Sequence, residues 1–545
     1  MEMPATVEPA GTDSGPIAAI THRQVLIIFS GLMLGMLLSA LDQTIVATAL
    51  PTIVGDLGGL DHLAWVVTAY LLASTVATPL YGKLGDLYGR KRLFQISIVI
   101  FLFGSILCGI AGSMLQLIIF RAIQGVGGGG LMVLSQAIIA DVVSPRERGR
   151  YQGYFGAVFG ASSVAGPLLG GFFTDNLSWR WVFYINVPLG IAALIVTSFV
   201  LPATSRRIQA RIDYLGSALL MGTITAIVLV TTWGGTEYAW GSRTIIGLIG
   251  AAALMLAAFL LVEPRVSEPV LPLRLFRGSV FTVSSAVSFI VGVAMFGAIS
   301  YLPLFLQIGG GASATNSGLL LLPLMLGLLS TSIAAGQLIT RTGRYRVFPI
   351  AGTAIASVGL FLLSTMDADT SRTVSGLYML VLGVGIGMVM QVLLIATQNA
   401  VRIGDLGVAT SSVSFFRSVG GSVGVALFGT LFNRRLTDTL PESLRLQLDP
   451  ASARPESIRA LPEAIRHQYE SGFADALTGV FLYAVPVMII AFALTWLLRE
   501  VPLRHSVGDA ADAEHAGEEV PATAPQHRAA APAPARRLPP ERSES

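Results

Sequence analysis

Three charged residues lie inside long apolar runs of the sequence, namely Asp42, Arg121 and Arg417. Moving an ionised side chain out of water is costly unless a partner compensates it, so charges in such positions usually serve a function. Asp42 and Arg121 are each about 17 or 18 residues from one end of their runs, which is roughly 25 Å at a helical rise of 1.5 Å per residue. A carboxylate and a guanidinium at one depth of a low-dielectric interior attract each other strongly.

This arrangement predicts that Asp42 binds and releases a proton. Burial favours the neutral acid whereas Arg121 favours the carboxylate, so a site that opens and closes can alternate the two influences. The competing interpretation is a static ion pair that fixes helix packing, although apolar residues could serve that purpose. Arg417 has no second acid at its depth. It either binds backbone carbonyls or meets an anionic group of a substrate or lipid.

The elements that must position these residues are membrane-spanning helices. Of the 545 residues, 53% are hydrophobic and only 12% are charged. Because about 20 apolar residues suffice to cross a bilayer as a helix, the apolar runs predict an all-α polytopic membrane protein. The runs predict about fourteen helices, at roughly 25–48, 62–82, 93–112, 115–139, 151–173, 181–201, 214–232, 244–262, 280–306, 317–340, 347–366, 374–398, 408–432 and 475–498.

Basic residues concentrate in alternate loops between these runs. The richest loops contain Lys83–Arg92, Arg146–Arg150, Arg206–Arg211, Arg265–Arg277 and Arg341–Arg346. The positive-inside rule assigns these loops, and with them both termini, to the cytoplasm. We therefore expect a multi-pass protein of a bacterial cytoplasmic membrane.

The chain also contains an internal repeat. Gly82-Lys83-Leu84 … Gly89-Arg90-Lys91-Arg92 follows the second helix, and Gly336-Gln337-Leu338 … Gly343-Arg344-Tyr345-Arg346 follows the tenth with the same spacing. The repeat predicts two corresponding six-helix halves with a binding site between them near the bilayer midplane. The predicted domains are a disordered cytoplasmic tail 1–22, an N-terminal half 23–204, an inserted helix pair 205–272, a C-terminal half 273–500 with a long outer loop at about 433–474, and a disordered cytoplasmic tail 501–545.

These motifs resemble the major facilitator superfamily over about 25–500. Gly82–Arg92 matches its loop motif, and Leu41–Pro51 is similar to the first-helix signature of its fourteen-helix drug:proton antiporters. Arg121–Gly125 resembles the fourth-helix motif of the same family. Ala47 and Thr48 stand where many members carry Asn and Val. The resemblance implies the major facilitator fold, with fourteen transmembrane helices, and proton coupling through Asp42 and Arg121.

A fifth-helix motif resembles the antiporter motif that exporters carry and importers generally lack. Its residues are Gly160, Gly166, Pro167 and Gly170. The resemblance therefore implies efflux.

The family also implies a conformational latch at the cytoplasmic side. Asp86 would contact the amino end of the thirteenth helix near Gly407, where the helix dipole favours an anion. Arg90 would pair with Asp141 at the end of helix four, and Gly82 and Gly89 complete the motif. A charged loop in water is the competing interpretation.

Polar side chains within the runs are candidates for a substrate cavity. Hydrogen-bonding groups at membrane depth face protein or water and not lipid, and an apolar pocket with a few amides suits bulky amphiphilic molecules. For each residue, contact between helices is the alternative. The candidates are Gln124, Gln136, Tyr301, Gln391, Asn399 and Arg417.

Several other kinds of site are disfavoured. Gly125–Gly130 satisfies the dinucleotide pattern, but it lies inside a spanning run and no strand precedes it. Neither a P-loop nor a nucleophile triad is evident, and Cys108 is a single cysteine, which excludes a disulfide framework. The sequence thus predicts no enzyme, catalytic residue, metal or cofactor. The formal charge of +3 does not suggest a nucleic-acid partner, and no nucleotide partner is expected.

The favoured function is proton-coupled efflux of hydrophobic or amphiphilic drugs or antibiotics by alternating access. The expected partners are a drug-like small molecule, protons and membrane lipid. Two alternatives stay open, namely export of a lipid or a dedicated metabolite, and a membrane receptor without transport activity.

Overall fold

The computed structural model describes residues 22–57, 63–201, 213–235, 237–266, 268–306, 319–440 and 462–503. Within these ranges the chain is helical, and β-structure is limited to one isolated bridge between Gly234 and Tyr238. The predicted terminal tails lie outside the described residues, apart from His22 and 501–503.

The division predicted from the sequence assigns the described helices to three groups along the chain. The N-terminal half contains α1 (His22–Leu57), α2 (Leu63–Tyr88), α3 (Arg90–Gly109), α4 (Met114–Val142), α5 (Pro145–Asn176) and α6, which has two segments (Trp181–Tyr184 and Asn186–Val200). The inserted pair contains α7 (Tyr214–Trp233) and α8 (Arg243–Val262). The C-terminal half contains α9 (Ser279–Leu304), α10 (Leu322–Thr342), α11 (Val347–Ser364), α12 (Arg372–Ala400), α13 (Leu406–Thr439) and α14 (Glu463–Thr495).

Twelve helices of the described part have the length and apolar composition of a membrane span. The other two, α2 and α5, contain 26 and 32 residues and pack on α4 and α1. The predicted all-α polytopic fold is confirmed, and the predicted count of fourteen is compatible with the structure.

Helices α13 and α14 are longer than their apolar runs. α13 continues to Thr439 and α14 begins at Glu463, so much of the predicted outer loop at 433–474 is helical. Backbone hydrogen bonds hold a helix together whatever its side chains, whereas the sequence-based limits follow apolar residues alone. The remaining stretch 441–461 lies outside the described residues.

Both copies of the internal repeat contain a glycine with a positive φ. Gly89 joins α2 to α3 with a φ of 92°, and Gly343 ends α10 before α11 with a φ of 71°. Glycine adopts this left-handed region without a Cβ clash. The equal spacing therefore places a glycine with positive φ after corresponding helices of the two halves, although ψ is 128° at Gly89 and 1° at Gly343.

The two halves contact each other towards one end of the bundle. We call this the basic end; it is where α2, α4 and α10 finish and α3, α5 and α11 begin. A Cβ atom built on Gly82 of α2 would lie 2.7 Å from the carbonyl oxygen of Gly407 of α13. A Cβ atom on Gly336 of α10 would overlap the carbonyl of Gly149 of α5. Glycine at these positions lets the helix backbones approach closely, which closes the basic end.

Candidate functional site

Asp42 of α1 and Arg121 of α4 form a buried ion pair. Nη1 of Arg121 lies 2.5 Å from Oδ2 of Asp42, and the two residues are 0% and 1% exposed. The sequence places them at one depth, and the structure brings them into direct contact. Removing one partner of such a pair would leave the other buried and uncompensated, which costs about 3–5 kcal/mol.

Two amide side chains complete the surroundings of the Asp42 carboxylate. Nε2 of Gln124 donates to Oδ1 of Asp42 at 2.8 Å, while the Gln124 carbonyl accepts from Arg121 at 2.8 Å. Nδ2 of Asn186 donates to the same Oδ1 at 3.1 Å and to Ser105 Oγ at 3.0 Å. Asp42 therefore accepts hydrogen bonds from side chains of both α4 and α6.

The break in α6 positions Asn186. The helix is interrupted at Ile185, and Asn186 is the first residue of the second segment. Ser105 of α3 donates to the Phe183 carbonyl just before the break, at 2.9 Å. Asn186 and Ser105 were not predicted from the sequence, because the prediction for Asp42 rested on charged side chains alone. An Asn close to Pro188 inside an apolar run was the available signal.

Aromatic rings cover the face of the Arg121 guanidinium. Its Cζ lies 4.3 Å from the ring centroid of Tyr70 and 5.9 Å from that of Phe183, distances that permit cation–π attraction. Nε of Arg121 donates to the Val66 carbonyl at 3.2 Å, and the Tyr70 hydroxyl lies 2.8 Å from Ser39 Oγ. Tyr70 is a further member of the site that sequence reasoning missed.

The glycine run of α4 serves packing around this site. A Cβ atom on Gly125 would lie 2.9 Å from Cα of Tyr70, and one on Gly127 would lie 2.7 Å from Cα of Phe101. Small residues here let α4 approach α2 and α3. This placement within a helix bundle explains why the dinucleotide pattern occurs without a nucleotide site.

The loop-motif residues meet at the basic end. Oδ1 and Oδ2 of Asp86 accept the N–H groups of Gly407 and Val408, each at 3.1 Å, at the amino end of α13. Arg90 lies 2.6 Å from Asp86 and 2.5 Å from Asp141 of α4. A carboxylate at a helix amino terminus satisfies free N–H groups and favours the helix dipole. The two hydrogen bonds from Gly407 and Val408 to Asp86 join the N-terminal half to the C-terminal half.

The fifth-helix glycines contact two different helices. A Cβ atom on Gly166 would overlap the Thr44 side chain of α1, and one on Gly170 would lie 3.1 Å from Cβ of Thr48. By contrast, a Cβ atom on Gly160 would overlap Leu329 of α10 in the other half. The motif therefore lies between α1 and the opposing half.

One hydrogen bond links this motif to the helix turn that carries Asp42. Thr44 Oγ1 donates to the Ser162 carbonyl of α5 at 2.9 Å. Pro167 lies within α5, but its side chain is outside the described residues. A change in the packing of α5 would thus act on α1 two residues from Asp42.

The remaining polar candidates occupy different surroundings. Gln136 of α4 accepts from Ser414 Oγ of α13 at 3.4 Å, so it joins the two halves. Gln391 of α12 is 9% exposed. Gln124 belongs to the Asp42 site, as described above. Of these residues, Gln136 has a position compatible with a cavity between the halves.

Tyr301 and Asn399 make contacts within the C-terminal half. The Tyr301 hydroxyl donates to the Val425 carbonyl at 3.2 Å. Nδ2 of Asn399 donates to the carbonyls of Val501 and Pro502, both at 3.2 Å, and so ties the end of α12 to the segment after α14. These bonds favour the alternative interpretation, contact between helices, for both residues.

Arg417 of α13 is only partly buried. Its carbonyl packs against Gly292 of α9. Among the described residues its guanidinium has neither an ion pair nor a hydrogen bond, whereas Arg121 has both. Of the three charges that began the sequence argument, Arg417 alone is left without compensation by this part of the chain.

Comparison with known sequences matches the Major Facilitator Superfamily over residues 32–425. The chain is 47% identical over 511 residues to an uncharacterized MFS-type transporter of Mycobacterium tuberculosis. The aligned region covers 93% of this chain and 74% of the relative. It is 41% identical over 434 residues to the multidrug transporter protein MdtP of Bacillus subtilis, covering 80% of each chain. Multidrug resistance protein 3 of Bacillus subtilis is 37% identical over 481 residues, covering 86% and 94%.

Solved structures resemble the same fold. The proton:xylose symporter XylE superposes with a TM-score of 0.60 at 15% identity, covering 88% of this chain and 96% of the symporter. The human organic anion transporter MFSD10 superposes with a TM-score of 0.58 at 15% identity, covering 85% and 99%. At this identity the likeness is one of fold.

Proposed function

Because the chain belongs to the major facilitator superfamily, a family of transporters and not of enzymes, we propose that it exports hydrophobic or amphiphilic drugs in exchange for protons. The observation that carries this proposal is the fully buried Asp42 carboxylate, held by Arg121, Gln124 and Asn186. The names of the multidrug relatives support the substrate class, and the glycine motif of α5 supports the export direction.

In the proposed cycle, Asp42 exchanges its ion pair for a proton. Protonation cancels the charge that holds Arg121, which keeps its bond to the Val66 carbonyl and its contact with the Tyr70 ring. Substrate binding on the cytoplasmic side would then displace the proton, because the Arg121 contact forms again as the cavity closes. Binding of the proton and binding of the drug are therefore mutually exclusive, and each shifts the conformational equilibrium.

The contacts at the basic end indicate which side the proposed cavity faces. The positive-inside rule assigns this end to the cytoplasm of a bacterial cell. Asp86 and the glycine contacts close it. We infer an outward-facing conformation, whose conversion requires the Asp86 bonds to α13 to break.

Replacing Asp42 by Asn tests the proposal. In proteoliposomes with an imposed pH gradient, Asp42→Asn should abolish accumulation of drug against its gradient, because Asn cannot carry a proton. Facilitated exchange of drug without a gradient should persist.

The matched control is Asp56→Asn on the same helix, where Asp56 forms an exposed pair with Arg180 at 3.1 Å. Asp56 also accepts a hydrogen bond from Nε1 of Trp179 at 2.8 Å, which the Asn carbonyl oxygen can still accept. This variant should transport as the wild type does, since exposed ion pairs contribute at most about 1 kcal/mol. Full energised transport by Asp42→Asn would exclude Asp42 as the proton carrier.

Arg417 supports a second candidate, export of a lipid or a dedicated metabolite that carries an anionic group. A guanidinium without a described partner, at mid-helix of α13, is suited to bind a carboxylate or phosphate. Competition between a neutral drug and an anionic amphiphile for transport distinguishes the two candidates.

A further inference from the structure

A pair of buried carboxyl groups, separate from the Asp42–Arg121 pair, lies where the inserted helices meet at the basic end. Asp213 directly precedes α7, and Glu263 directly follows α8. The two residues are 6% and 1% exposed. Neither belongs to the motifs that sequence analysis singled out, and neither is part of the Asp42 site.

Each carboxyl group uses only one oxygen for a backbone hydrogen bond. Asp213 Oδ1 accepts the N–H of Gly216 at 2.8 Å and caps α7. Glu263 Oε1 accepts the N–H of Leu271 at 2.7 Å. The second oxygens, Asp213 Oδ2 and Glu263 Oε2, are buried and receive no hydrogen bond from the described residues.

These two free oxygens converge on one point. A Cβ atom built on Gly216 would lie 2.6 Å from Oε2 of Glu263 and would overlap Oδ2 of Asp213. Glycine at position 216 therefore leaves the room that the oxygens occupy. Two acceptors that face each other without a donor between them form an incomplete hydrogen bond.

Among the described residues, the nearby charges do not compensate the pair. A cavity of about 330 Å³ between α2 and α7 is lined by Asp213, Lys83 and Glu268, but Lys83 already pairs with Glu268 at 2.6 Å. Arg265 donates to the Leu261 carbonyl. The ring of Tyr214 is mostly exposed. Among described residues, no cation is bound to either free oxygen.

We propose that Asp213 and Glu263 form a proton-binding site, in which one shared proton bridges their free oxygens. Two carboxylates in contact cannot both stay ionised, because each raises the energy of the other's charge. One proton converts the repulsion into a hydrogen bond between an acid and a carboxylate, which is a strong type of bond.

The shared proton would hold the inserted helices together at the basic end. It joins the start of α7 to the end of α8, and Glu263 extends the connection to Leu271. The same segment carries Glu268, whose partner Lys83 lies in the loop motif of α2. Loss of the proton therefore loosens the attachment of the inserted pair to α2. This inference does not depend on proton-coupled export.

Infrared difference spectra of the purified full-length protein, recorded while the pH is raised, test the site directly. The wild type should lose a carbonyl band of a protonated carboxylic acid. Asp213→Asn should lack that band, because the Asn amide donates to Glu263 and replaces the proton, while Asn remains a good helix cap. Glu268→Gln is the control and should keep the band. An unchanged band in Asp213→Asn would refute the shared proton.

The unfolding temperature in detergent gives a second readout. The folded pair holds a proton at neutral pH. The unfolded carboxyl groups release it, because their pKa values are about 4. Stability should therefore fall as the pH rises through the titration of the pair. Asp213→Asn should lose this part of the pH dependence, and Glu268→Gln should retain it.

Calcium chloride and sodium chloride distinguish a proton from a metal ion. We expect neither salt to raise the unfolding temperature of the wild type by more than it raises that of Asp213→Asn. A selective rise with one of these cations would mean that the free oxygens bind the metal ion, and the proposal would be wrong.

Discussion

At the scale of single residues, the intramembrane arginines of the described structure differ in the partners of their guanidinium groups. Arg121 is compensated by Asp42, by Gln124 and by the Val66 carbonyl, whereas the Arg417 guanidinium has no such partner among described residues. A compensated charge can change state when its partner changes. An uncompensated charge is available to bind something else.

This contrast leads to a prediction for Arg417. Arg417→Gln should lower transport of an anionic amphiphile by about 10-fold or more, since a lost charged hydrogen bond costs about 1.5–3 kcal/mol. Transport of a neutral drug should change little. The measurement is competitive uptake into inside-out vesicles.

The control is Arg435→Gln on the same helix, because Arg435 stacks on the Tyr483 ring at 5.4 Å. An equal loss for both substrates in Arg417→Gln would instead assign Arg417 a structural role.

At the scale of elements, glycines decide which helices approach each other. Gly166 lies against Thr44 of α1, while nothing lies within 4 Å of a Cβ atom built on Gly171. The two glycines belong to one helix and one motif region, yet only the first occupies a tight contact. The effect of a methyl group should therefore differ between them.

Gly166→Ala should destabilise the protein by about 1–3 kcal/mol through overpacking and should slow drug efflux. Gly171→Ala should leave both properties unchanged or raise stability slightly, because alanine favours helix more than glycine does. Thermal unfolding in detergent and efflux from cells measure the two effects. Equal stability and equal efflux of the two variants would show that the contact between Gly166 and α1 affects neither property.

At the same scale, the bond between α2 and α13 determines the stability of the closed basic end. Asp86→Asn keeps the shape but turns one acceptor into a donor that faces the N–H of Gly407 or Val408. The closed state should lose about 1.5–3 kcal/mol. Turnover should fall while substrate affinity stays nearly constant.

Stopped-flow transport and equilibrium drug binding measure these quantities. The control Asp405→Asn removes the pairs of Asp405 with the half-exposed arginines Arg274 and Arg402 at the same end of α13 and should have little effect. Loss of affinity alone in Asp86→Asn would mean that Asp86 binds substrate.

At the scale of the whole molecule, Asp42 is a fully buried acid within the described membrane spans, with an exposure of 0%. One proton entering the cell releases ~2.3 kcal/mol per 100 mV. If one proton is exchanged for one monovalent cationic drug, no net charge crosses the membrane. The membrane potential then does no work, and only the pH difference drives export.

Ionophores in proteoliposomes test this stoichiometry. Nigericin, which collapses the pH gradient, should stop export of a cationic drug, whereas valinomycin with potassium should not. Inhibition by valinomycin would require a second transported proton. The carrier of that proton would have to be sought outside Asp42.

The sequence by itself determined the all-α fold, the approximate spans and the positions of Asp42, Arg121 and the loop motif. These features follow from apolar length, from charge within apolar runs and from local spacing, all of which a single chain displays. Helix ends were less predictable, as α13 and α14 demonstrate, because helical hydrogen bonding continues beyond the apolar residues.

Only the tertiary structure decided which residues surround these charges. Asn186 contacts Asp42 across 144 positions of the chain, and Asp213 meets Glu263 from the far ends of two helices. Such contacts depend on how each helix is rotated about its axis and where it breaks, as α6 does before Asn186. Helix rotation is set by packing against all neighbours at once, so no local pattern of residues specifies it.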